Sequence, residues 1–165
     1  MTVWANRSHE ERALLNPSFC ATLLWHAARG HVVDGNVALS FEESFLVLPF
    51  ILHRGTRETL PRSGRTSLAA WLEEYPLARA RVASRARFLV PFTKEALTFG
   101  GAHGLIRLAS AGVHADPDWR RAVNRVLNIS TDEVKYCASR AAFLGQWFAR
   151  AGNAATVLAL IGVRP

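Results

Sequence analysis

Apolar residues recur along most of this chain at three- and four-residue intervals, the period of a helix with one buried face. Residues 10–15 suit a short helix or an ordered arm, closed by Asn16-Pro17. Asn16 can cap a helix whose first residue is Pro17, and Phe19, Cys20, Leu23, Leu24 and Ala27 continue its apolar stripe. Gly30 is expected to stop it, and Asp34-Gly35 reads as a turn. Ser40 with Glu43 forms a capping box for a helix over 41–54, apolar on nearly every side, in which Pro49 predicts a kink. Residues 55–65, with Gly55, Pro61, Ser63 and Gly64, read as a loop. Thr66 is placed to cap a helix over 67–75 bearing Leu68, Trp71 and Leu72. An Arg-rich helix over 77–89 follows, with Val82, Ala86 and Leu89 inward; Pro91 should interrupt it before it resumes through Ala96, Leu97 and Phe99.

The period then changes. Residues 105–108 and 112–115 are short extended runs around Ala109-Ser110-Ala111-Gly112, the pattern of a β-hairpin. A polar connector from Asp116 carries Arg120, Arg121 and Arg125 and suits a short helix. Ser130 with Glu133 predicts a capping box, followed by the stripe Val134, Cys137, Ala141, Leu144, Phe148 and Ala151, ended by Gly152-Asn153. The apolar tail is ambiguous between a strand beside the hairpin and a last helical turn; the run 156–161 favours a strand. The expected fold is therefore mainly α, a compact helical domain with a small β-hairpin, in the element order a winged helix would show. One domain is expected over 1–165, with an N-terminal arm at 1–12, the hairpin at 105–115 and a tail at 153–165 packed on the body.

Composition narrows the class. Half of the 165 residues are hydrophobic and a fifth are charged, which argues against disorder. Two cysteines, Cys20 and Cys137, make no disulfide framework. No eighteen-residue apolar run predicts a membrane helix, and Met1 to Glu11 lacks the apolar core of a signal peptide, so a cytoplasmic location with no membrane partner is expected.

Charge adds a surface. Lys and Arg number 20 against 13 Asp and Glu, a net +7, and only Lys94 and Lys135 are lysines. A GC-rich genome favours Arg over Lys without any function, so the distribution tells more. Arg54, Arg57, Arg62, Arg65, Arg79, Arg81, Arg85 and Arg87 face only Glu58, Glu73 and Glu74 in the same stretch. Such a patch can bind nucleic acid through its phosphates or an acidic protein face, or it can simply be solvated. Arg81 and Arg85 share one helix face at i, i+4.

Motifs for catalysis are scarce. Gly100-Gly101-Ala102-His103-Gly104 lacks the Gly-Lys-Ser/Thr of a phosphate-binding loop. Cys20, His26 and Cys137 lack the spacing of a zinc site, and His103 and His114, which a hairpin can bring face to face, read as ordinary turn or surface histidines. Glu42-Glu43 and Glu73-Glu74 are neighbours whose side chains diverge. No nucleophile elbow is present. No catalytic residue, cofactor or metal is therefore expected. Among the aromatics, Phe148 and Trp71 suit the core, and Phe143 with Trp147, four apart and off the main stripe, are the expected exposed anchor for a partner.

Several runs, in order along nearly the whole chain, resemble a bacterial family. They are 13–20 with the following Leu-Leu-Trp-His-Ala-Ala, 44–61, 66–72, 90–100 and the ending Gly162-Val-Arg-Pro. The family is the middle component of three-component ABC systems. The resemblance implies an adaptor between an SMC/Rad50-like ABC ATPase and an effector encoded nearby, in defence against phage and other invading DNA, with DNA reached through the complex. It supplies no catalytic residues. A free-standing winged-helix DNA-binding protein is the alternative, although the third helix of that arrangement would carry Pro91 and little base-reading Asn or Gln.

Overall fold

The computed structural model describes residues 7–163 apart from 36 and 111, and for 34 and 35 the course of the chain without the side chains. Arm residues 1–6, Ala111 of the expected hairpin turn and the final Arg164-Pro165 lie outside the described residues.

Local capping chemistry starts most of the helices. In α1 (His9–Leu14) the Ser8 hydroxyl accepts the Glu11 N–H at 3.1 Å while the Glu11 carboxylate accepts the Ser8 N–H at 3.0 Å. Asn16 Oδ1 accepts the Ser18 N–H at 2.9 Å and opens α2 (Pro17–Gly35). Gly30 does not stop this helix. A Cβ there would lie 2.0 Å from the Ala142 carbonyl oxygen, so its missing side chain serves a close helix contact. Helix α3 (Phe41–Ile51) has the expected Ser40/Glu43 box and continues through Pro49, but stops three residues early. His53 Nδ1 accepts the Thr56 N–H and starts a separate turn of helix, α4 (Arg54–Thr59), inside the expected loop.

Helix α5 (Leu68–Glu74) is capped by Ser67 and not by Thr66. Helix α6 (Pro76–Ala102) is continuous across 27 residues. Pro91 does not interrupt it: the proline is exposed, so its missing N–H lies at the wet surface, while Leu89, Thr93, Ala96 and Leu97 are buried on either side. The hairpin forms as expected from β1 (Ile106–Ala109) and β2 (Gly112–Ala115), antiparallel, with Ile106 opposite Ala115 and Leu108 opposite Val113. Leu39 joins its edge through a bond from the Val113 N–H to the Leu39 carbonyl at 2.7 Å. Gly112, at φ 124°, allows that approach, since a Cβ would sit 2.4 Å from the Leu39 oxygen.

A 3-10 turn at Pro117–Trp119 leads into α7 (Arg120–Asn128) and then α8 (Asp132–Ala151). The cap of α8 is Thr131; Ser130 instead bonds back to the Val126 carbonyl at 2.7 Å. The tail is a helix, α9 (Ala154–Ile161), and not a strand. Asn153 caps it at 2.9 Å, Gly162 ends it in the left-handed region, and Val157, Leu158 and Ile161 bury one helical face.

Helix α2 is the centre of the core, packed against α8 most extensively and also against α3, α6 and β2. Leu23, Leu24, Trp25, Ala27 and Ala28 are fully buried there. Gly145 of α8 answers Gly30: a Cβ at 145 would lie 1.9 Å from the Ala27 oxygen. The fold is mainly α with a small antiparallel hairpin, as the sequence predicts. Among the described residues no helix is long and apolar enough to cross a membrane.

Candidate functional site

The eight arginines between residues 54 and 87 do not behave alike. Arg54, Arg62, Arg65, Arg79, Arg81 and Arg87 are exposed. Arg54 is paired along α4 with Glu58 at 2.7 Å, and Arg79 reaches the Ala159 carbonyl at 3.4 Å. Arg57 turns inward and is only 2% exposed. Its guanidinium donates to the Ile51 carbonyl and to the Glu133 carboxylate, and lies over the Tyr136 ring. Arg85 is half-buried: Nε donates to the Pro49 carbonyl at 3.1 Å and Nη2 to the Thr56 hydroxyl at 2.7 Å. Both arginines thus tie the α3–α4 corner to the rest of the molecule. The i, i+4 pair Arg81 and Arg85 is split, one residue exposed and one holding structure.

The charges nevertheless converge. Burial, and then the charges of Arg85, Arg81 and Arg57, hold the His53 imidazole below its usual range, so it stays neutral beside them. Arg85 is itself lowered, by burial first and by Arg81 second. A corner built from α4 and the facing side of α6 therefore presents a concentration of positive charge, offset in part by Glu58 and Glu133.

The loop after α4 joins this surface through residues that sequence reading missed. Arg140 donates to the Pro61 carbonyl at 2.6 Å, and a Cβ at Gly64 would lie 2.0 Å from Arg150 Nη1, so both arginines of α8 pack on the loop bearing Arg62 and Arg65. No local signal marks them, because each contact joins positions about eighty residues apart.

Trp147 pins the same loop, donating its indole N–H to the Thr66 carbonyl at 2.7 Å. It is only 1% exposed, so it is a core residue and not an exposed anchor. Phe143 is partly buried between Arg140, at 4.1 Å, and the Trp147 ring, at 5.9 Å. The pair was expected outside because it lies off the main stripe of α8; the loop over 60–67 and α5 widen the buried face to include it.

Candidate reactive groups are engaged in structure. Burial pushes the Cys20 thiol up to about 12, with the charge of Glu95 adding and that of Arg7 opposing. Burial also raises Cys137. Both thiols stay protonated near neutral pH, the unreactive form. His103 stacks on Phe99 and bonds its carbonyl, while His114 stands opposite Arg107 in the hairpin. Glu43 serves the α3 cap and lies 3.6 Å from His31. Among the described residues no three His, Cys, Asp or Glu side chains gather where they could hold a metal ion.

The fold is a helical domain in which Arg57 and Arg85 hold the α3–α4 corner while Arg62, Arg65, Arg79, Arg81 and Arg87 are exposed. Over residues 4–165 the chain matches the family described as ABC-three component (ABC-3C) system Middle Component 3, and it belongs to that family. No curated protein and no solved structure matches it.

Proposed function

We propose that this chain is a non-catalytic adaptor linking an SMC/Rad50-like ABC ATPase to an effector, in a bacterial complex directed against phage and other invading DNA. The observation that carries the proposal is family membership across residues 4–165, as the middle member of a three-component system. The exposed arginines supply the chemistry of such a role: Arg62, Arg65, Arg79, Arg81 and Arg87 can meet an acidic partner face, or the phosphates of DNA held by the ATPase. Arg54 lies beside them with part of its charge spent on Glu58.

The test is co-expression with the other two components of the system and purification through a tag on this chain. Stable co-elution is expected. Elution alone, or turnover of a substrate by the isolated chain, would overturn the proposal. The variant Arg81→Glu/Arg87→Glu should keep the parent's melting temperature and weaken the complex most at low salt, where surface charge is least screened. Unchanged binding at low salt would assign these arginines to solvent. Sequence-selective DNA binding by the chain alone, with a steep salt slope, would favour the free-standing DNA-binding reading instead.

A further inference from the structure

His53 is exposed just before α4, and the fold sets which of its ring nitrogens carries the proton. Nδ1 accepts the Thr56 N–H at 3.1 Å and lies 3.0 Å from the Thr56 hydroxyl. A nitrogen that accepts an N–H has no proton of its own, so the hydroxyl donates to it and the ring proton sits on Nε2. The same hydroxyl accepts Arg85 Nη2 at 2.7 Å. One oxygen therefore holds an imidazole and a guanidinium side by side. Thr56 is buried, and Arg85 is also tied to the Pro49 carbonyl at 3.1 Å, so the pair is fixed in place.

The groups left over are all donors. His53 offers Nε2–H. Arg85 Nη1 has no bond among the described residues and is not shut away from solvent. Arg81, one turn earlier on α6, is exposed, and its charge acts on both His53 and Arg85. Among the described residues no carboxylate pairs with Arg81 or Arg85; Glu58 is taken by Arg54 and Glu133 by Arg57.

The arrangement of these donors selects the anion. A planar carboxylate is best met by the side-on fork of an arginine, Nε with Nη2. At Arg85 that edge is already given to Pro49 and Thr56. Three separate donors suit a tetrahedral oxyanion, which can turn a different oxygen to each. A phosphate monoester also brings a charge of about −1.5 to −2, which answers the two unmatched arginines.

We propose that His53, Arg81 and Arg85 form a binding site for a phosphoryl group, with Thr56 holding the imidazole and the Arg85 guanidinium in register. The assignment deepens the adaptor reading, on which it rests for the partner that brings the phosphate, and it chooses phosphate over an acidic protein face as what Arg81 meets.

The experiment titrates the full chain at constant ionic strength and follows the backbone amide signals of residues 53–57 by NMR. The probes are inorganic phosphate, a 5′-mononucleotide, a DNA duplex without terminal phosphates, and a polyglutamate peptide. Arg81→Gln removes one donor. His53→Asn removes the Nε2–H while keeping an oxygen that can cap the Thr56 N–H. Each should weaken phosphate binding about tenfold with the parent's melting temperature, whereas Arg107→Gln, the same loss of charge on the hairpin, should change it less than about twofold. Should His53→Asn melt early, Arg81→Gln decides, because it alters only an exposed side chain. A response to phosphate and mononucleotide but not to the duplex upholds the site for a free phosphate. A response to the duplex upholds it for a nucleic-acid backbone. The site is overturned by no saturable shift with any phosphate-bearing probe, by parent-like binding in the folded variants, by equal weakening with Arg107→Gln, or by a response to the peptide alone. Co-elution of the three components is read separately. A chain that co-elutes and ignores phosphate loses this site and keeps the adaptor role; one that binds phosphate and elutes alone does the reverse.

Discussion

His26 shows how a single buried residue carries a pH response. It is buried in α2, edge-on to Trp25 at 5.0 Å, and its Nε2 has no hydrogen-bond partner among the described residues. Burial first, and the charge of Arg29 second, lower its pKa from 6.5 to about 4. The unfolded chain therefore binds a proton at His26 that the folded chain refuses between about pH 6.5 and pH 4. Stability rises with pH across that window and is lost on acidification, by roughly 3 kcal/mol from this group. His26→Gln should flatten that part of a plot of unfolding free energy against pH; an unchanged slope would show that the imidazole is accessible to protons in the folded state. Phe148 is the simpler case. It is fully buried with its ring edge-on to Phe50, so Phe148→Ala should cost roughly 3–5 kcal/mol in denaturant unfolding.

Among elements, the joint between α2 and α8 sets the architecture. Each helix offers a glycine to a backbone carbonyl of the other, Gly30 to Ala142 and Gly145 to Ala27. Helix propensity alone says that alanine at either position stabilises, by about 1 kcal/mol. Geometry reverses the sign, because the new Cβ would meet backbone and not a movable side chain. Gly145→Ala should lower stability by about 2–3 kcal/mol and the melting temperature by roughly 5–10 °C. A rise in melting temperature would mean that the helices sit farther apart. The same scale explains the tail. Its apolar run reads as a strand, yet Asn153 caps a helix that Gly162 ends, and contact with α3, α5, α6 and α8 shows that a helical face is what the core accepts.

At the scale of the molecule, exposed arginines gather on α4, on the loop after it and on α6, and an apolar groove opens between α1 and α7. The first was legible as a density of arginines along 54–87. The second was not, since its walls come from residues near 14, 57, 126 and 137 whose individual patterns look like ordinary inner stripes. Nor did the density of arginines show which of them stay exposed. Arg57 and Arg85 are spent inside, and Arg140 and Arg150 join the surface from a distant helix.

Sequence by itself determined what short-range chemistry controls: the capping box at Ser40, the proline start of α2, the hairpin, the helical class and the family. These depend on residues within about four positions of one another or on ordered runs of the chain. Tertiary structure decided the direction of each long side chain, the burial of Trp147, the uninterrupted course of α6 through Pro91 and the opening between α1 and α7. An arginine can reach water or a buried carbonyl from the same backbone position. Which it takes depends on groups brought to it from tens of residues away, and a local pattern holds no record of them.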